Sequence, residues 1–336
     1  MDQVFCTLFD SNYLDKGIVL YKSMEKCLNE FKLYVFAFDE KTYEILRAEN
    51  YPSMVVISLK EFETKELLNV KKERSAAEYC WTCTPWVIKH VLENYNENIC
   101  TYIDADMRFY SSPQPEFDKM RQQGCSVIIV PHRFKDPEEE RLSSETRGKY
   151  CVEFNTFLNN EAGKKVLNWW AERCLEWCFY AKPGTTEWYG DQKYLNEFPR
   201  KFSGVFICDH FGVGLAPWNI DQVDLYATDP IQIKVERTGE IVPVIIYHFE
   251  SFTFLTKRII NTHSRKTTKR VHNAIYNVYC EEIVAVRKLL KERYGQEFTN
   301  KRRVVSKNPL MKIYQRYLSP LRHIRSLTDI FIVKEK

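Results

Sequence analysis

The sequence predicts an α/β fold, in which a sheet carries helices on both of its faces. Over the first two hundred residues, short apolar segments rich in β-branched residues alternate with segments of helical periodicity. The chain has 336 residues, of which 44% are hydrophobic and 28% charged, so it can bury a large core and has an ordinary globular composition. We find no internal repeat, which sets repeat architectures aside.

The individual elements are predicted from period, composition and boundary residues. Short runs of β-branched and aromatic residues predict strands at 4–9, 33–38, 54–57, 99–103, 126–130, 153–158, 232–236 and 241–247. Periodicity predicts helices at 16–28, 161–178, 192–197 and 270–294. Another helix is predicted to begin at Thr84-Pro85, because threonine is a good N-cap and proline is favoured at the first helical position.

Two carboxylates directly follow one predicted strand. The segment TYIDADMRFYSS, residues 101–112, ends an apolar run with Asp104 and Asp106, and the alternation of side chains along an extended chain points both the same way. Two carboxylates this close repel each other unless a cation lies between them or one is protonated. The alternative is that they cap a turn or the helix that follows.

Asp10 also lies at the end of a predicted strand. Ligands of open α/β sheets bind at the carboxyl ends of the strands, so we expect Asp10 and Asp104 to share one cleft. Aromatic residues make up 14% of the chain, and clefts that bind sugars favour flat apolar faces rimmed by polar groups. These features are consistent with a small-molecule site at this edge of the sheet.

Composition argues against several classes of function. The net charge is only +4, so the molecule as a whole is not expected to bind nucleic acid. No segment approaches the roughly 20 uninterrupted apolar residues of a membrane span, and the first residues lack the layout of a signal peptide, so a cytoplasmic protein is expected. The eleven cysteines are predicted to be reduced thiols, which agrees with a cytoplasmic protein. Cys80 and Cys83 have zinc or redox spacing, but no second such pair accompanies them.

The C-terminal region has a distinct, basic composition. Residues 301–325 carry eight Lys or Arg side chains and no acid, interleaved with apolar residues at roughly helical spacing. This is the composition of a cationic amphipathic helix on an anionic membrane. Two interpretations stay open: the segment holds the protein peripherally on the cytoplasmic face of a membrane, or its apolar stripe packs on the rest of the protein.

Four segments, taken in order, resemble the GT-A glycosyltransferases, nearest the family 8 group that includes glycogenin and bacterial lipooligosaccharide galactosyltransferases. They are FDSNYLDKGIVLYKSM (9–24), YIDAD (102–106), FNTFLNN (154–160) and YGDQKYLN (189–196), and the match runs from residue 4 to about 250. The resemblance implies a GT-A fold, with a Rossmann-like mixed sheet and helices on both faces, as a catalytic domain over residues 1–255. Residues 256–336 would form a basic, mainly helical C-terminal region.

The resemblance also implies a nucleotide-sugar donor. Asp10, Asn12 and Tyr13 would bind a uracil base, because uracil needs an acceptor for its ring NH and an aromatic face on which to stack. The alternative for these three residues is a helix start, in which Asp or Asn caps the helix and Tyr packs.

A metal site follows from the same resemblance. Asp104, Ala105 and Asp106 would meet the donor diphosphate, and the two carboxylates would hold Mn²⁺ or Mg²⁺ to neutralise the leaving charge. The family takes a further ligand from a histidine that closes the last strand of the sheet, and His248 follows the run 242–247 at that position. A structural histidine is the alternative.

The sequence departs from the family pattern after this histidine. The family continues with a glycine and a lysine that grips the diphosphate, whereas here no glycine follows and Phe254 stands where the lysine is expected. Lys257 and Arg258 are the substitutes that the sequence offers.

Three further positions are assigned to the donor sugar by the resemblance. Asn155 lies in the segment that the family uses near the sugar, although Phe157 replaces the family's glycine. Asp191 and Gln192 match an Asp-Gln pair that lines the reacting carbon, where an acid and an amide can orient hydroxyls and stabilise positive charge. A surface helix cap is the alternative. Trp218 lies in the loop GVGLAPWN (212–219), which either approaches a sugar or is a turn with a packed indole.

These inferences predict a metal-dependent glycosyltransferase that moves a sugar from a UDP-sugar to a hydroxyl of a glycan, with retention of configuration if the family 8 likeness holds. The acceptor is predicted to be a lipid-linked or surface polysaccharide precursor. Two alternatives stay open. A sugar nucleotidyltransferase shares the sheet topology but needs a Gly-rich, Arg-containing loop after the first strand, which FDSNYLDKG is not. A catalytically inactive nucleotide-sugar-binding protein is the other.

Overall fold

The structure, a computed structural model, describes residues 3–180, 189–264, 267–298 and 329–333. Over these residues the strands are β1 (Val4–Phe9), β2 (Lys32–Ala37), β3 (Met54–Ser58), β4 (Ile99–Ile103), β5 (Met107–Phe109), β6 (Val127–Pro131), β7 (Tyr150–Leu158), β8 (Val205–Ile207), β9 (Val223–Thr228), β10 (Ile231–Val235), β11 (Ile241–Pro243), β12 (Ile246–His248), β13 (Thr253–Phe254), β14 (Ile259–Asn261) and β15 (Ile330–Ile332). The predicted basic segment 301–325 lies outside the described residues.

Four of the five predicted helices match helices of the described residues, the one predicted to begin at Thr84-Pro85 does not, and several observed helices were not predicted. The α-helices are α1 (Leu14–Cys27), α2 (Glu40–Glu49), α3 (Leu59–Phe62), α4 (Lys65–Lys71), α5 (Ala76–Asn94), α6 (Gln114–Gln122), α7 (Pro137–Thr146), α8 (Glu161–Glu176), α9 (Phe198–Lys201), α10 (Lys269–His272) and α11 (Val278–Tyr294). Short 3₁₀ helices cover Gln192–Glu197 and Ile220–Gln222, and a π-helical turn, Asn273–Asn277, joins α10 to α11. Within the described part of the chain, none of these helices combines the length and the apolar composition that a membrane span requires.

A seven-stranded mixed sheet forms the centre of the molecule, in the order β3-β2-β1-β4-β7-β6-β8. Strands β1 to β4 run parallel to one another, whereas β7 is antiparallel to both of its neighbours, β4 and β6. Helix α5 packs on β1 and β4, and α8 packs on β7. The predicted α/β class with a mixed sheet is confirmed.

The two strands that position the site are the most deeply buried of this sheet. Every residue of β1 and of β4 is buried, which matches their continuous apolar sequences. The chain leaves β1 toward β2 on one side, whereas β4 lies on the other side of β1 and pairs with β7. Ligand-binding crevices form where the strand order reverses in this way, so the crevice is expected between Asp10 and Asp104.

The predicted helix start at Thr84-Pro85 is wrong. Helix α5 begins after Ser75, whose side chain accepts a hydrogen bond from the Glu78 N–H while the Glu78 carboxylate accepts one from the Ser75 N–H. This reciprocal cap starts the helix upstream, and Pro85 lies inside it. The Thr84 hydroxyl bonds back to the Cys80 carbonyl instead of capping. Burial of α5 against the sheet and α8 compensates for the hydrogen bond that Pro85 cannot donate.

The predicted single strand at 241–247 is two strands in different sheets. Strand β11 completes a three-stranded antiparallel sheet with β10 and β9, whereas β12 pairs with β5. The chain changes partner after Pro243, and the N–H of Ile245 bonds to the Gly212 carbonyl. His248 therefore closes a two-stranded sheet rather than the central one, which corrects the prediction for that residue.

The last described helix, α11, packs on the first helix of the chain. The predicted helix at 270–294 is confirmed as the helical stretch from α10 to α11, and α11 contacts α1. Arg287 of α11 lies 2.6 Å from the carboxylate of Asp15, and Glu282 lies 2.8 Å from Arg108 of β5. The division of the chain after residue 255 stays a prediction.

Candidate functional site

A cavity of about 790 Å³ lies beside the carboxyl end of β4. Its polar lining includes Asp104, Asp191, Gln192 and His248, and its aromatic lining includes Trp81, Tyr102, Tyr189 and Trp218. A concave site with apolar walls and a few converging polar groups is the usual form of a small-molecule site.

Two short strands bring the predicted metal ligands together. Asp104 and Asp106 occupy the turn between β4 and β5, and β12 pairs antiparallel with β5, so that His248 lies opposite Met107. The N–H of Phe249 bonds to the Asp106 carbonyl at 2.9 Å, which extends this pairing to the turn. The histidine ring is thereby fixed next to the two carboxylates.

The ligand atoms of Asp104, Asp106 and His248 lie within 4.8 Å of one another. The Nε2 atom of His248 is 3.2 Å from Oδ1 of Asp106 and 3.8 Å from Oδ2 of Asp104. The other oxygen of each carboxylate has its own partner. The Tyr102 hydroxyl donates to Asp104 Oδ1 at 2.9 Å, and the Lys16 ammonium lies 3.3 Å from Asp106 Oδ2.

Glu153 of β7 fixes the orientation of His248. Its Oε2 atom lies 2.8 Å from Nδ1 of the ring, and its side chain is fully buried. Gly214 allows this contact, because it has a positive φ of 80° and a Cβ there would lie 2.7 Å from Oε1 of Glu153. Trp218 of the same loop packs edge-on against the histidine ring.

The cluster shifts the pKa values of its members in opposite directions. Burial raises the pKa of Asp104 to about 7, opposed by the charge of His248 and aided by that of Asp106. Burial also acts to raise the pKa of Asp106, but Lys16 and His248 outweigh it and hold the value below its ordinary range. Burial acts to lower the pKa of His248, yet the contacts with Asp106 and Glu153 raise it well above normal. The carboxylates of Asp104 and Asp106 therefore place negative charge next to Nε2 of His248.

The donor set fits a hard divalent cation. Two carboxylate oxygens and one imidazole nitrogen are ligands that Mn²⁺ accepts, and oxygen ligands suit Mg²⁺. Because Nδ1 of His248 faces Glu153, Nε2 faces the two carboxylates and would offer its lone pair to a cation that displaces its proton, as metal-binding histidines do. Cys151 also lies within reach of His248 and Glu153, but burial raises the pKa of its thiol well above normal, which disfavours the thiolate that a metal needs.

The side chain of Asp191 lines the cavity. Its side chain is buried, and its Oδ2 atom has no hydrogen-bond partner within the described residues. The indole N–H of Trp170 donates to the Asp191 carbonyl at 2.9 Å and fixes the backbone. Such a buried acceptor is costly unless a ligand satisfies it. Gln192 differs, because its amide oxygen accepts from the N–H of Val152 at 3.4 Å and its amide nitrogen donates to the Arg147 carbonyl at 3.2 Å.

Asp191→Asn is expected to stabilise the metal-free protein at pH 8 but not at pH 4. Burial raises the pKa of Asp191 to about 7, against a hydrogen bond from Thr84 and with help from the charge of Asp104. The stability contributed by the protonated acid is therefore complete at low pH and is lost as the pH rises through about 7. The asparagine variant escapes this loss, by up to roughly 4 kcal/mol. Urea denaturation in EDTA at several pH values measures the difference, and a constant offset at all pH values would contradict it.

The residues predicted to bind uracil form an exposed turn next to this cluster. The Asp10 carboxylate accepts hydrogen bonds from the backbone N–H of Asn12 at 3.0 Å and from its side-chain amide at 3.1 Å. Tyr13 is 43% exposed, and its ring lies under the Lys16 ammonium at 4.1 Å. The helix-capping alternative is wrong, because the N-cap residue of α1 is Tyr13 and no side chain caps this helix. These three residues are not among the described residues that line the cavity, so this cavity is not the cleft that Asp10 and Asp104 were predicted to share.

The remaining predicted site residues have different surroundings. Asn155 of β7 is fully buried, and neither atom of its amide group has a hydrogen-bond partner within the described residues. Ala105 is buried between the two aspartates. Lys257 is exposed on the turn between β13 and β14, and its contact with a donor stays a prediction. Phe254, which replaces the family's lysine, is buried under the guanidinium of Arg287.

Sequence comparison relates the chain to proteins of Bacillus subtilis (strain 168). YfnF, an uncharacterized protein of this organism, is 30% identical over 288 residues, which cover 84% of this chain and 92% of YfnF. The chain belongs to the YfnF family. YfnD of the same organism, also uncharacterized, is 28% identical over 258 residues, which cover 76% of this chain and 80% of YfnD. No family model matches the sequence.

A solved structure identifies the fold of this YfnF-family chain. The crystal structure of the galactosyltransferase LgtC in complex with donor and acceptor sugar analogues is similar with a TM-score of 0.52 and 14% sequence identity, covering 84% of this chain and 96% of LgtC. The predicted GT-A fold is thereby confirmed. At this identity the likeness extends to the fold alone.

Sequence reasoning missed two charged residues that contact the cluster in this member of the YfnF family. A signal existed for Glu153, which is the charged residue of the nine-residue strand YCVEFNTFL, because a charge in a buried strand needs a partner. Lys16 gave no such signal, since lysine is an ordinary residue of helices. Its contact with Asp106 depends on how α1 lies against β5.

Proposed function

We propose that this protein is a metal-dependent glycosyltransferase that moves a sugar from a UDP-sugar to a hydroxyl of a glycan. The observation that carries the proposal is the cluster of Asp104, Asp106 and His248 beside a cavity at the carboxyl edge of a GT-A sheet. A diphosphate carries concentrated negative charge, and an oxygen-rich cation site is suited to hold it. The family 8 relationship, with retention of the anomeric configuration, is part of the same proposal.

The metal-binding residues have distinct tasks in this proposal. Asp104, Asp106 and His248 hold Mn²⁺ or Mg²⁺, which when bound neutralises negative charge on the departing UDP. Glu153 keeps the proton on Nδ1 of His248, so that Nε2 stays available as a ligand. Ala105 keeps the backbone between the two aspartates close to the donor.

Three further residues are assigned to the donor sugar. Asp191 accepts hydrogen bonds from donor hydroxyls through its uncommitted oxygen and stabilises the positive charge that develops at the reacting carbon. Asn155 contributes a fully buried amide that has no hydrogen-bond partner in the part of the chain that the structure describes. Gln192 lines the reacting carbon, and its amide oxygen accepts a hydrogen bond from the backbone N–H of Val152 in β7.

The acceptor in this proposal is a lipid-linked glycan or a surface polysaccharide precursor. Residues 301–325 bind the anionic cytoplasmic face of a membrane and keep the catalytic domain, residues 1–255, near that acceptor. The sugar nucleotidyltransferase alternative is not favoured, since the turn after β1 is FDSNYLDKG rather than a Gly-rich loop. An inactive binding protein is not favoured either, because the acids that chemistry needs are present.

Tyr13→Ala is expected to weaken the binding of UDP by about 1 kcal/mol or more, because it removes the aromatic face on which the uracil stacks. Calorimetry with UDP, GDP and CMP in the presence of Mn²⁺ measures this effect and tests the proposed donor class at the same time. Tyr226→Ala is the matched control, since that ring is 56% exposed on β9. Tighter binding of GDP than of UDP by the wild type would reassign the nucleotide.

Glu153→Gln is expected to lower the affinity for Mn²⁺ by about 10- to 100-fold, the usual effect of losing the carboxylate behind a metal-binding histidine. The amide keeps the size of the side chain but provides a weaker acceptor for the Nδ1 proton of His248. Titration of the metal by electron paramagnetic resonance measures free Mn²⁺ directly. Glu116→Gln is the control, since this buried carboxylate contacts Cys208 instead. Equal Mn²⁺ affinities of the two variants would refute the role of Glu153.

A further inference from the structure

The phosphate-binding lysine that the family 8 resemblance implies has no counterpart at its expected position. Phe254 occupies that position and is buried in an aromatic cluster with Phe252, where Arg287 covers its ring at 3.5 Å. Arg287 is itself committed to Asp15 at 2.6 Å. Lys257 is exposed on the neighbouring turn. Among the described contacts, none joins these residues to Asp104, Asp106 or His248.

Lys16 does bring a positive charge to this cluster, from an unexpected element. It lies in the first turn of α1, and only 10% of its side chain is exposed. Its ammonium is 3.3 Å from Oδ2 of Asp106 and 4.1 Å from the centre of the Tyr13 ring. A buried lysine keeps a charge at a considerable cost in desolvation, which the neighbouring Asp106 carboxylate and Tyr13 ring offset.

The position of this ammonium matches the path of a nucleoside diphosphate. If the base stacks on Tyr13 and the diphosphate meets the ion at Asp106, the atoms between them pass the Lys16 ammonium, which contacts both residues. The charge of the site supports the same assignment. When Asp104, Asp106 and Glu153 are ionised, a divalent cation leaves one of their three negative charges uncompensated, and the Lys16 ammonium beside Asp106 offsets it.

We propose that Lys16 binds the diphosphate of the donor and replaces the phosphate-binding lysine that is missing at Phe254. This inference rests on the proposed function. The ammonium of Lys16 has three N–H donors, so Lys16 can keep its contact with Asp106 while it donates a hydrogen bond to a phosphate oxygen. Because Lys16 lies on α1 and not in the segment after His248, its charge also lies beside Tyr13, on which the base is proposed to stack.

The test compares UDP with uridine, because the two differ in the diphosphate alone. Binding is measured by calorimetry at saturating Mn²⁺ for the wild type, Lys16→Met, Lys16→Arg and Lys26→Met, a control on the same helix whose side chain is 60% exposed. We expect Lys16→Met to lose at least about tenfold in UDP affinity and to keep the affinity for uridine within twofold. Lys16→Arg keeps the charge and is expected to restore most of the loss.

The possible failures are distinguishable. Unchanged UDP affinity in Lys16→Met, or equal losses for UDP and uridine, overturns the phosphate contact while the proposed function stands. The phosphate contact is also overturned if Lys16→Arg loses as much UDP affinity as Lys16→Met. The loss would then not come from the positive charge, which the arginine keeps. A folded wild-type protein that binds no UDP overturns the proposed function and the Lys16 inference together.

Discussion

Asp106→Asn is expected to lower sugar transfer by at least about 10³-fold, which corresponds to roughly 4 kcal/mol of transition-state stabilisation. Asp106 is the most constrained member of the cluster, since one oxygen lies 3.2 Å from His248 and the other 3.3 Å from Lys16. The amide cannot supply the negative charge that holds the cation, although it keeps the shape of the side chain. Asp104→Asn is expected to have a comparable effect, and the initial rate of transfer measures both.

Two controls separate this effect from misfolding. Asp118→Asn changes an exposed carboxylate of α6 and is expected to retain full activity. EDTA should reproduce the loss in the wild-type protein, and added Mn²⁺ should restore the rate there but not in Asp106→Asn. Full activity of the wild type in EDTA would refute the metal assignment for both aspartates and for His248.

Asp191→Asn is expected to lower kcat by about 100-fold while KM for the donor changes less than about threefold. The reason is that Asp191 offers a buried oxygen without a hydrogen-bond partner in the described part of the chain, and an ionised acid there stabilises charge that develops only in the transition state. Steady-state kinetics over a range of donor concentrations separates the two constants.

Gln192→Ala provides the informative comparison for this prediction. Its amide connects the backbone of Val152 with that of Arg147, so its loss is expected to disturb the wall of the cavity as well as turnover. If Asp191→Asn instead binds the donor ten times more weakly and turns over at the wild-type rate, Asp191 is a binding residue and not a catalytic one.

The central strands could be predicted from sequence because burial on both faces leaves continuous apolar runs. Strands β1 and β4 have the predicted bounds, and the positions of Asp10 and Asp104 follow from them. Local sequence patterns predicted the bounds of an element less well where another part of the chain set those bounds. Thr84-Pro85 has the residues of a helix start, yet the cap at Ser75 begins the helix upstream. The strand predicted at 241–247 is divided because the chain changes partner after Pro243.

The metal cluster illustrates what sequence alone can and cannot provide. Asp104 and Asp106 are neighbours in sequence, and the resemblance to family 8 supplied the position of His248. Glu153 and Lys16 reach the cluster from β7 and α1, so their contacts depend on the packing of elements that are far apart in the chain. Periodicity reports which face of an element is buried, but it does not report which charged side chains meet there.

Release of UDP from UDP-sugars tests the central claim most directly. The purified protein is incubated without acceptor with a panel of nucleotide sugars and Mn²⁺, and free nucleoside diphosphate is measured over time. We expect slow release from at least one UDP-sugar, its loss in EDTA, and its loss in Asp104→Asn but not in Asp118→Asn. Release that persists in EDTA and in Asp104→Asn, or no release and no UDP binding by the folded wild-type protein, would contradict the proposal that this is a metal-dependent glycosyltransferase.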